Sequence, residues 1–116
     1  MAFFDQADGC ERAIRAALRM HRELQGERFN VGIGIAYGQV LSGLIGSKDR
    51  LEYTVIGSTV NLAARLEAAT RTLDCTVVCC EATKANCSKP DELFADFSTA
   101  KISLKGFDKR QAVVYR

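Results

Sequence analysis

The chain has 116 residues, of which 47% are hydrophobic and 26% charged, and its formal net charge is +2. This length fits a single domain, and so small a net charge argues against a nucleic-acid partner, which usually requires a concentrated basic patch. The apolar runs are too short for a transmembrane helix, and the N-terminus lacks the pattern of a secretory signal, so we expect a cytoplasmic protein.

The first predicted elements are the end of a strand at residues 1–4 and a helix at residues 9–25. In the helix, apolar residues that include Ile14 and Ala17 recur at helical spacing. Its four arginines lie mostly away from this apolar face, which indicates a solvated surface. His21 lies on the apolar side and is interpreted as a packed side chain rather than as a ligand or a general base.

Three strands are predicted next, at residues 30–37, 40–45 and 51–56. The glycines of the first strand indicate that another backbone approaches it closely. A polar turn at residues 46–50 joins the second and third strands into a hairpin. The segment GLIGSK at residues 43–48 lacks the spacing of a phosphate-binding P-loop and is interpreted as part of a structural turn.

The rest of the chain predicts further helices and strands in alternation. Ser58 is expected to cap a helix at residues 59–70, and Pro90 is expected in a polar loop. The other predicted elements are strands at 76–80, 94–98, 101–104 and 112–115 and a short helix at 81–86. This interleaving favours an α+β fold with a mixed sheet.

The five cysteines are expected to be reduced thiols, because their number is odd and no secretory signal accompanies them. No C-x-x-C pair is present, which argues against a zinc site. Cys79 and Cys80 are adjacent in a predicted strand, so their side chains should point to opposite faces of the sheet. The other three are Cys10, Cys75 and Cys87.

Asn61 and Arg65 are four residues apart on the predicted helix and therefore share a face. Their neighbours along the chain are mostly apolar. The planar guanidinium group suits phosphate oxygens, so the pair could hold a ribose or a polyphosphate. Taken alone, the pair is weak evidence, because an exposed Asn/Arg pair on a helix is usually ordinary solvated surface.

Four motifs follow one another along the chain. They are GIGIAYG at 32–38, G-x-I-G at 43–46, D-R-x-E-Y-T-V-I-G at 49–57 and V-N-L-A-A-R-L at 60–66. In this order they resemble the motifs of the class III adenylyl/guanylyl cyclase catalytic domain. Leu104-Lys105-Gly106-Phe107 resembles the family's terminal lysine-glycine segment. The resemblance covers nearly all of the chain. It implies that residues 1–116 are the C-terminal portion of a ferredoxin-like cyclase fold, without the first strand and the helices that follow it.

The resemblance implies conversion of ATP to 3′,5′-cyclic AMP and pyrophosphate, in cyclic nucleotide signalling inside the cell. This reaction is an intramolecular phosphoryl transfer, which depends on the positioning of the reacting groups and on stabilisation of the charge that develops. By position in the motifs, Asn61 would orient the ribose and Arg65 would stabilise the transition state. Lys105 would hold the terminal phosphates, and Thr54 would read the purine. A threonine oxygen can accept a hydrogen bond from the adenine amino group, which favours ATP over GTP.

The family's cofactors are Mg²⁺ or Mn²⁺, and its two metal-binding aspartates have no counterpart in this chain. Asp5 and Asp8 follow the first strand-like segment and do not match either position. We therefore expect the chain alone to be inactive and to work in a dimer, as a homodimer or as a heterodimer with a complete cyclase domain that supplies the metal ligands. Cyclase sites of this family lie between two domains, so such sharing is feasible.

Two alternatives remain at this point. The chain could be a non-catalytic regulatory or dimerisation module of cyclase descent that lacks metal ligands. It could also be a fragment, in which case the upstream reading frame would encode the metal-binding motifs and the whole would be a complete adenylate cyclase domain.

Overall fold

The computed structural model describes residues 1–5, 7–24, 31–47 and 50–116, with the backbone alone described at residues 24, 41–47 and 50–56. Helices and strands alternate along these residues. In chain order they are α1 (Gly9–Leu24), β1 (Ile33–Ile35), β2 (Leu41–Ser47), β3 (Arg50–Ile56), α2 (Ser58–Thr72), β4 (Val77–Cys80), α3 (Glu81–Ala85), α4 (Pro90–Leu93), β5 (Ser98–Ile102) and β6 (Gln111–Tyr115). None of the helices in this part of the chain is long and apolar enough to cross a membrane.

The main sheet has four strands in the order β1-β4-β6-β5, and β2 and β3 form a separate antiparallel hairpin. β1 runs parallel to β4, whereas β6 is antiparallel to both β4 and β5. This combination of a mixed sheet, a hairpin and helices confirms the predicted α+β fold. The predicted hairpin is confirmed as well, although residues 48 and 49 of its turn lie outside the described residues.

The two faces of the main sheet carry separate hydrophobic clusters because side chains alternate along a strand. Ile14 and Ala17 of α1 pack with Val77 and Cys79 on one face. On the other face, Leu66 of α2 packs against a cluster that includes Val78, Cys80, Leu104 and Val113. Cys79 and Cys80 thus point to opposite faces, as predicted. All five cysteines are free thiols, which also confirms the prediction.

The glycines of β1 allow α2 to lie directly on the sheet. A Cβ atom added at Gly34 would collide with the backbone nitrogen of Glu67 and with the carbonyl oxygen of Ala63, and one added at Gly32 would collide with Oγ1 of Thr70. The predicted close approach of a second backbone is therefore confirmed. The approaching backbone belongs to α2, the helix that carries Asn61 and Arg65.

Residues 1–4 do not form the predicted strand. A short strand requires a hydrogen-bonded neighbour, and none of the described strands pairs with this segment. The helix cap is also different from the prediction. Gly57, with φ of 139°, occupies the N-cap of α2, and Ser58 is the first helical residue. The carbonyl oxygen of Gly57 closes the first turn by accepting from the amides of Val60 and Asn61 at 3.1 and 3.3 Å.

The predictions for residues 90–104 also need correction. Pro90 begins the short helix α4, because a proline fits the first helical position, where no amide hydrogen is required. One strand, β5, replaces the two strands predicted at 94–98 and 101–104. Turns restrict its length, since the amide of Phe97 donates to the carbonyl of Phe94 and that of Phe107 to the carbonyl of Leu104.

Candidate functional site

Asn61 and Arg65 lie on the solvent-facing side of α2. Leu66, Ala69 and Thr70 bury the opposite side of this helix against the sheet, whereas Asn61 and Arg65 are exposed. The prediction that they share a helix face is therefore confirmed. Within the described residues, neither side chain has a hydrogen bond or an ion pair. An amide and a guanidinium group are thus both free to bind a ligand.

Arg71 differs from Arg65 in this respect, although both lie on α2. Its guanidinium group is paired with Glu67, with 3.0 Å between Nη2 and Oε1. This i, i+4 pair is exposed and contributes little to stability. The carboxylate of Glu67 nevertheless pairs with the positive charge of Arg71. The cation that α2 leaves available for an anionic ligand is therefore Arg65.

Lys105 lies in the tight turn that follows β5. Leu104 is buried, Phe107 is half-buried, and the amide of Phe107 donates to the carbonyl of Leu104 at 3.1 Å. Gly106 has φ of 88°, a left-handed conformation that glycine adopts without strain. The two apolar side chains anchor the turn, and the side chain of Lys105 is exposed.

The turn with Lys105 and the helix with Arg65 pack on the same face of the sheet. Leu104 and Phe107 belong to the same hydrophobic cluster as Leu66 of α2. The helix with Asn61 and Arg65 and the turn with Lys105 therefore lie on the same side of the main sheet. None of the described hydrogen bonds joins these three side chains to one another.

Thr54 lies in the separate hairpin. It pairs with Gly43 of β2 and precedes the end of β3 by two residues. β3 leads through Gly57 directly into α2. Only the backbone of Thr54 is described, so the predicted contact of its hydroxyl with a purine stays a prediction.

The described residues contain no group of three or more histidine, cysteine, aspartate or glutamate side chains that could hold a metal ion. Burial, together with Cys87 and Cys80, raises the pKa of Cys10 to about 11. Burial also raises the pKa of Cys79 and of Cys87, so these side chains stay protonated at neutral pH.

Two of the thiols have hydrogen-bonding roles within the core. The sulfur of Cys80 accepts from the backbone amide of Tyr37 at 3.3 Å and lies 3.3 Å from Oγ1 of Thr83. The thiol of Cys87 donates to the carbonyl of Thr83 at 3.3 Å. These contacts make the cysteines part of the packed interior.

The sequence motifs did not predict an apolar groove beside β1. The groove has a volume of about 610 Å³ and is lined by residues of the N-terminal segment 1–5, α1, β1 and the start of α2. The sequence does contain an indication of this groove. Phe3 and Phe4 are large apolar residues in a short segment for which no helix is predicted. Both remain exposed.

Residues 10–116 match the family model described as the adenylate and guanylate cyclase catalytic domain, and the chain belongs to this family. The predicted family is thereby confirmed.

Known adenylate cyclases are similar to this chain in sequence and in structure. It is 31% identical to an adenylate cyclase of Anabaena cylindrica, over 94% of this chain and 24% of that protein. It is 38% identical to the terminal-differentiation-specific adenylate cyclase of Dictyostelium discoideum, over 58% of this chain and 4% of that protein. The structure of a bacterial light-regulated adenylyl cyclase matches with a TM-score of 0.72 and 27% identity, covering 97% of this chain and 35% of that one. The chain thus spans a small part of these relatives.

Proposed function

We propose that this chain supplies the purine-reading, ribose-orienting and transition-state half of a dimeric adenylate cyclase site, which converts ATP to 3′,5′-cyclic AMP and pyrophosphate. The observation that carries the proposal is the exposed Asn61–Arg65 pair on α2, which has no partner among the described residues of a chain from the cyclase family. The adenylate cyclases among its relatives support ATP rather than GTP as the substrate.

In the proposed reaction the 3′-hydroxyl of ATP loses its proton to solvent water and its oxygen attacks the α-phosphorus. The bond from that phosphorus to the oxygen that bridges to the β-phosphate breaks. Negative charge develops on the α-phosphoryl oxygens and on the leaving pyrophosphate. The guanidinium group of Arg65 can donate two parallel hydrogen bonds to such oxygens. The amide of Asn61, four residues earlier on the same face, can fix the ribose so that the hydroxyl is in line.

The other two residues act on the ends of the nucleotide. Lys105 presents a compact ammonium charge, which suits the terminal phosphates. In our proposal the hydroxyl oxygen of Thr54 accepts a hydrogen bond from the adenine amino group. The adjacency of β3 and α2 in the chain and the shared cluster beneath α2 and the Lys105 turn support a single ligand that spans these residues.

Mg²⁺ or Mn²⁺, when bound, would shield the phosphates and activate the 3′-hydroxyl. The two metal-binding aspartates of the family have no match in these residues, so in our proposal a second cyclase domain supplies the ligands. The active species is then a heterodimer of this chain with a domain that carries the two aspartates.

A complementation assay tests the proposal. The partner is a homologous cyclase domain that keeps its metal-binding aspartates but has alanine at the position that matches Arg65. Neither component alone should form cyclic AMP, and the mixture should recover activity with ATP. The matched control is the same mixture with Arg65→Ala in this chain, which should stay inactive. Failure of the unsubstituted mixture to form cyclic AMP, when gel filtration shows the heterodimer, would contradict the proposal.

A non-catalytic module that binds a nucleotide or a cyclase domain without turnover is the second candidate, and the exposed Asn61–Arg65 pair is compatible with it. Calorimetry with ATP and gel filtration with a complete cyclase domain distinguish the two. Binding of ATP or of the cyclase without turnover in the complementation assay supports the module. Recovery of turnover excludes it.

A further inference from the structure

The start of α2 has no capping side chain. Its N-cap is Gly57, which offers no side chain to accept from the first amides, and the first turn carries no acidic residue. The helix therefore lacks two of the local devices that commonly stabilise an N-terminus. Asn61, which we propose to orient the ribose, lies at the end of this first turn. Its position depends on whatever else holds the turn in place.

Thr59 holds this turn from outside the helix. Its Oγ1 donates to the carbonyl oxygen of Gln39 at 2.8 Å. In the part of the chain that the structure describes, no other residue of the first turn makes a side-chain hydrogen bond. The acceptor lies in residues 36–40, the β1–β2 linker, which joins β1 to the hairpin. The bond thus ties the beginning of α2 to a segment 20 residues earlier in the chain.

The β1–β2 linker also packs closely against the start of α2. A Cβ atom added at Gly38 would collide with Oγ1 of Thr59 and would lie 3.3 Å from its Cγ2. One added at Gly57 would lie 3.6 Å from the carbonyl oxygen of Gln39 and 3.7 Å from the Cα of Val40. The hydrogen bond of Thr59 is therefore the polar part of a continuous contact between the linker and the first turn.

The β1–β2 linker is itself attached to the main sheet. The backbone amide of Tyr37 donates to the sulfur of Cys80 at 3.3 Å, and the same sulfur lies 3.3 Å from Oγ1 of Thr83. Cys80, at the end of β4, and Thr83, in α3, are both buried. The linker is thus held to the sheet at Tyr37 and to α2 at Gln39, and it continues into the hairpin that carries Thr54.

We propose that Thr59 is a positioning residue of the cyclase site. Its hydroxyl holds the first turn of α2 on the β1–β2 linker, so that Asn61 keeps its place relative to the hairpin and to Thr54. Thr59 does not touch the nucleotide in this proposal and acts through Asn61. The inference rests on the proposed function, in which Asn61 and Thr54 bind the same nucleotide.

Arg65 depends less on this hydrogen bond than Asn61 does. The backbone contact between Gly34 and Glu67 holds α2 two residues beyond Arg65. Loss of the Thr59 hydroxyl should therefore release the first turn of α2 and leave the rest of the helix in place. The ribose would then be misplaced for attack, while the ends of the nucleotide still bind. Such a change lowers kcat more than it raises KM.

The kinetics of the complemented heterodimer test the inference, with the full chain and the metal-competent partner domain. Thr59→Val keeps the shape of the side chain and loses the hydroxyl, whereas Thr59→Ser keeps the hydroxyl. Thr70→Val is the matched control, because the hydroxyl of Thr70 donates within α2, to the carbonyl of Glu67 at 2.6 Å. Circular dichroism and gel filtration show whether each variant is folded and forms the heterodimer.

We expect Thr59→Val to lower kcat at saturating ATP at least roughly tenfold, with the KM for ATP changed less than about twofold. Thr59→Ser should keep kcat within about threefold of the unsubstituted chain, because its hydrogen bond remains. Thr70→Val should change kcat less than about twofold, since its bond is local to the helix. In the chain alone, the amides of Val60 and Asn61, which donate to Gly57, should exchange hydrogen faster in Thr59→Val than in Thr59→Ser.

Two outcomes would overturn the inference while the proposed function stands. If the unsubstituted mixture forms cyclic AMP and Thr59→Val has the same kcat, the hydroxyl does not position Asn61. If Thr59→Val and Thr59→Ser lose kcat equally, the effect comes from packing and not from the hydrogen bond. If Thr59→Val does not fold, Thr59→Ala takes its place in both comparisons. An inactive unsubstituted mixture would contradict the proposed function itself, and this inference with it.

Discussion

The backbone of Gly34 lies directly against that of Glu67. A Cβ atom at Gly34 would lie 3.0 Å from the Cα of Glu67 and would collide with its amide nitrogen. The close contact sets the distance between α2 and β1. Because Arg65 lies two residues before Glu67, this contact also positions the part of α2 that carries the guanidinium group that we propose to act on ATP.

Replacement of Gly34 by alanine should therefore destabilise the protein. We expect a loss of about 1–3 kcal/mol in the free energy of unfolding, because a backbone cannot yield as a flexible side chain does. Urea unfolding measures the loss. Gly106→Ala is the control. A Cβ atom at this position has no other atom within 4 Å, so the substitution introduces only the backbone strain of a φ of 88°. A smaller loss for Gly34→Ala than for Gly106→Ala would contradict the packing argument.

Arg65→Ala should lower cyclic AMP formation by the complemented heterodimer about 10²–10³-fold, as expected when a donor to the transition state is removed. Arg65→Lys should restore little of the rate, because an ammonium group cannot make the bidentate contact. The control is Arg71→Ala, which removes an arginine already paired with Glu67 on the same helix. Equal losses in the two alanine variants would remove the special role of Arg65. The rates come from initial velocities at saturating ATP.

Lys105→Ala should raise the KM for ATP roughly tenfold, with a smaller change in kcat, if the ammonium group binds the terminal phosphates in both the ground state and the transition state. Lys109→Ala, an exposed lysine four residues further on, is the control. The effect should shrink at high ionic strength, because salt screens an exposed charge. An unchanged KM would show that Lys105 does not bind the nucleotide.

The burial of Cys10 predicts a pH dependence of stability. Its pKa rises from 9.0 to about 11 on folding, so between these values the folded chain keeps a proton that the unfolded chain loses. Stability from this thiol should therefore be complete below pH 9 and should decline as the pH rises towards 11. Thermal unfolding of the chain and of Cys10→Ala across pH 8–11 measures the difference. A decline of the same size in the variant would assign the effect to other groups, of which Cys79 is the first candidate.

Local sequence patterns predicted much of the fold, and tertiary contacts explain the remainder. The close approach at Gly34 and the opposed side chains of Cys79 and Cys80 follow from the composition and period of single strands. Whether residues 1–4 form a strand depends on a neighbouring strand, and a local sequence pattern does not reveal whether such a neighbour is present. The helix at Pro90 was missed because a proline that ends one segment can equally begin the next.

The candidate site was predictable to a similar degree. The spacing of Asn61 and Arg65 is enough to place them on one helix face. Lys105 is linked to α2 because its neighbour Leu104 packs in the same hydrophobic cluster as Leu66. These two leucines are about forty residues apart in sequence, and no spacing rule predicts such a distant contact. The groove was missed for the same reason, because its walls come from α1, β1 and α2.

The hairpin β2–β3 is a sheet of its own, joined to α2 through Gly57. In our proposal the hairpin selects the base through Thr54, and α2 handles the sugar and the phosphate. Base choice and bond-making would then be encoded in separate structural elements. Substitutions in the hairpin could change which nucleotide is accepted while the chemistry stays intact, so new nucleotide preferences could evolve without rebuilding the reaction centre.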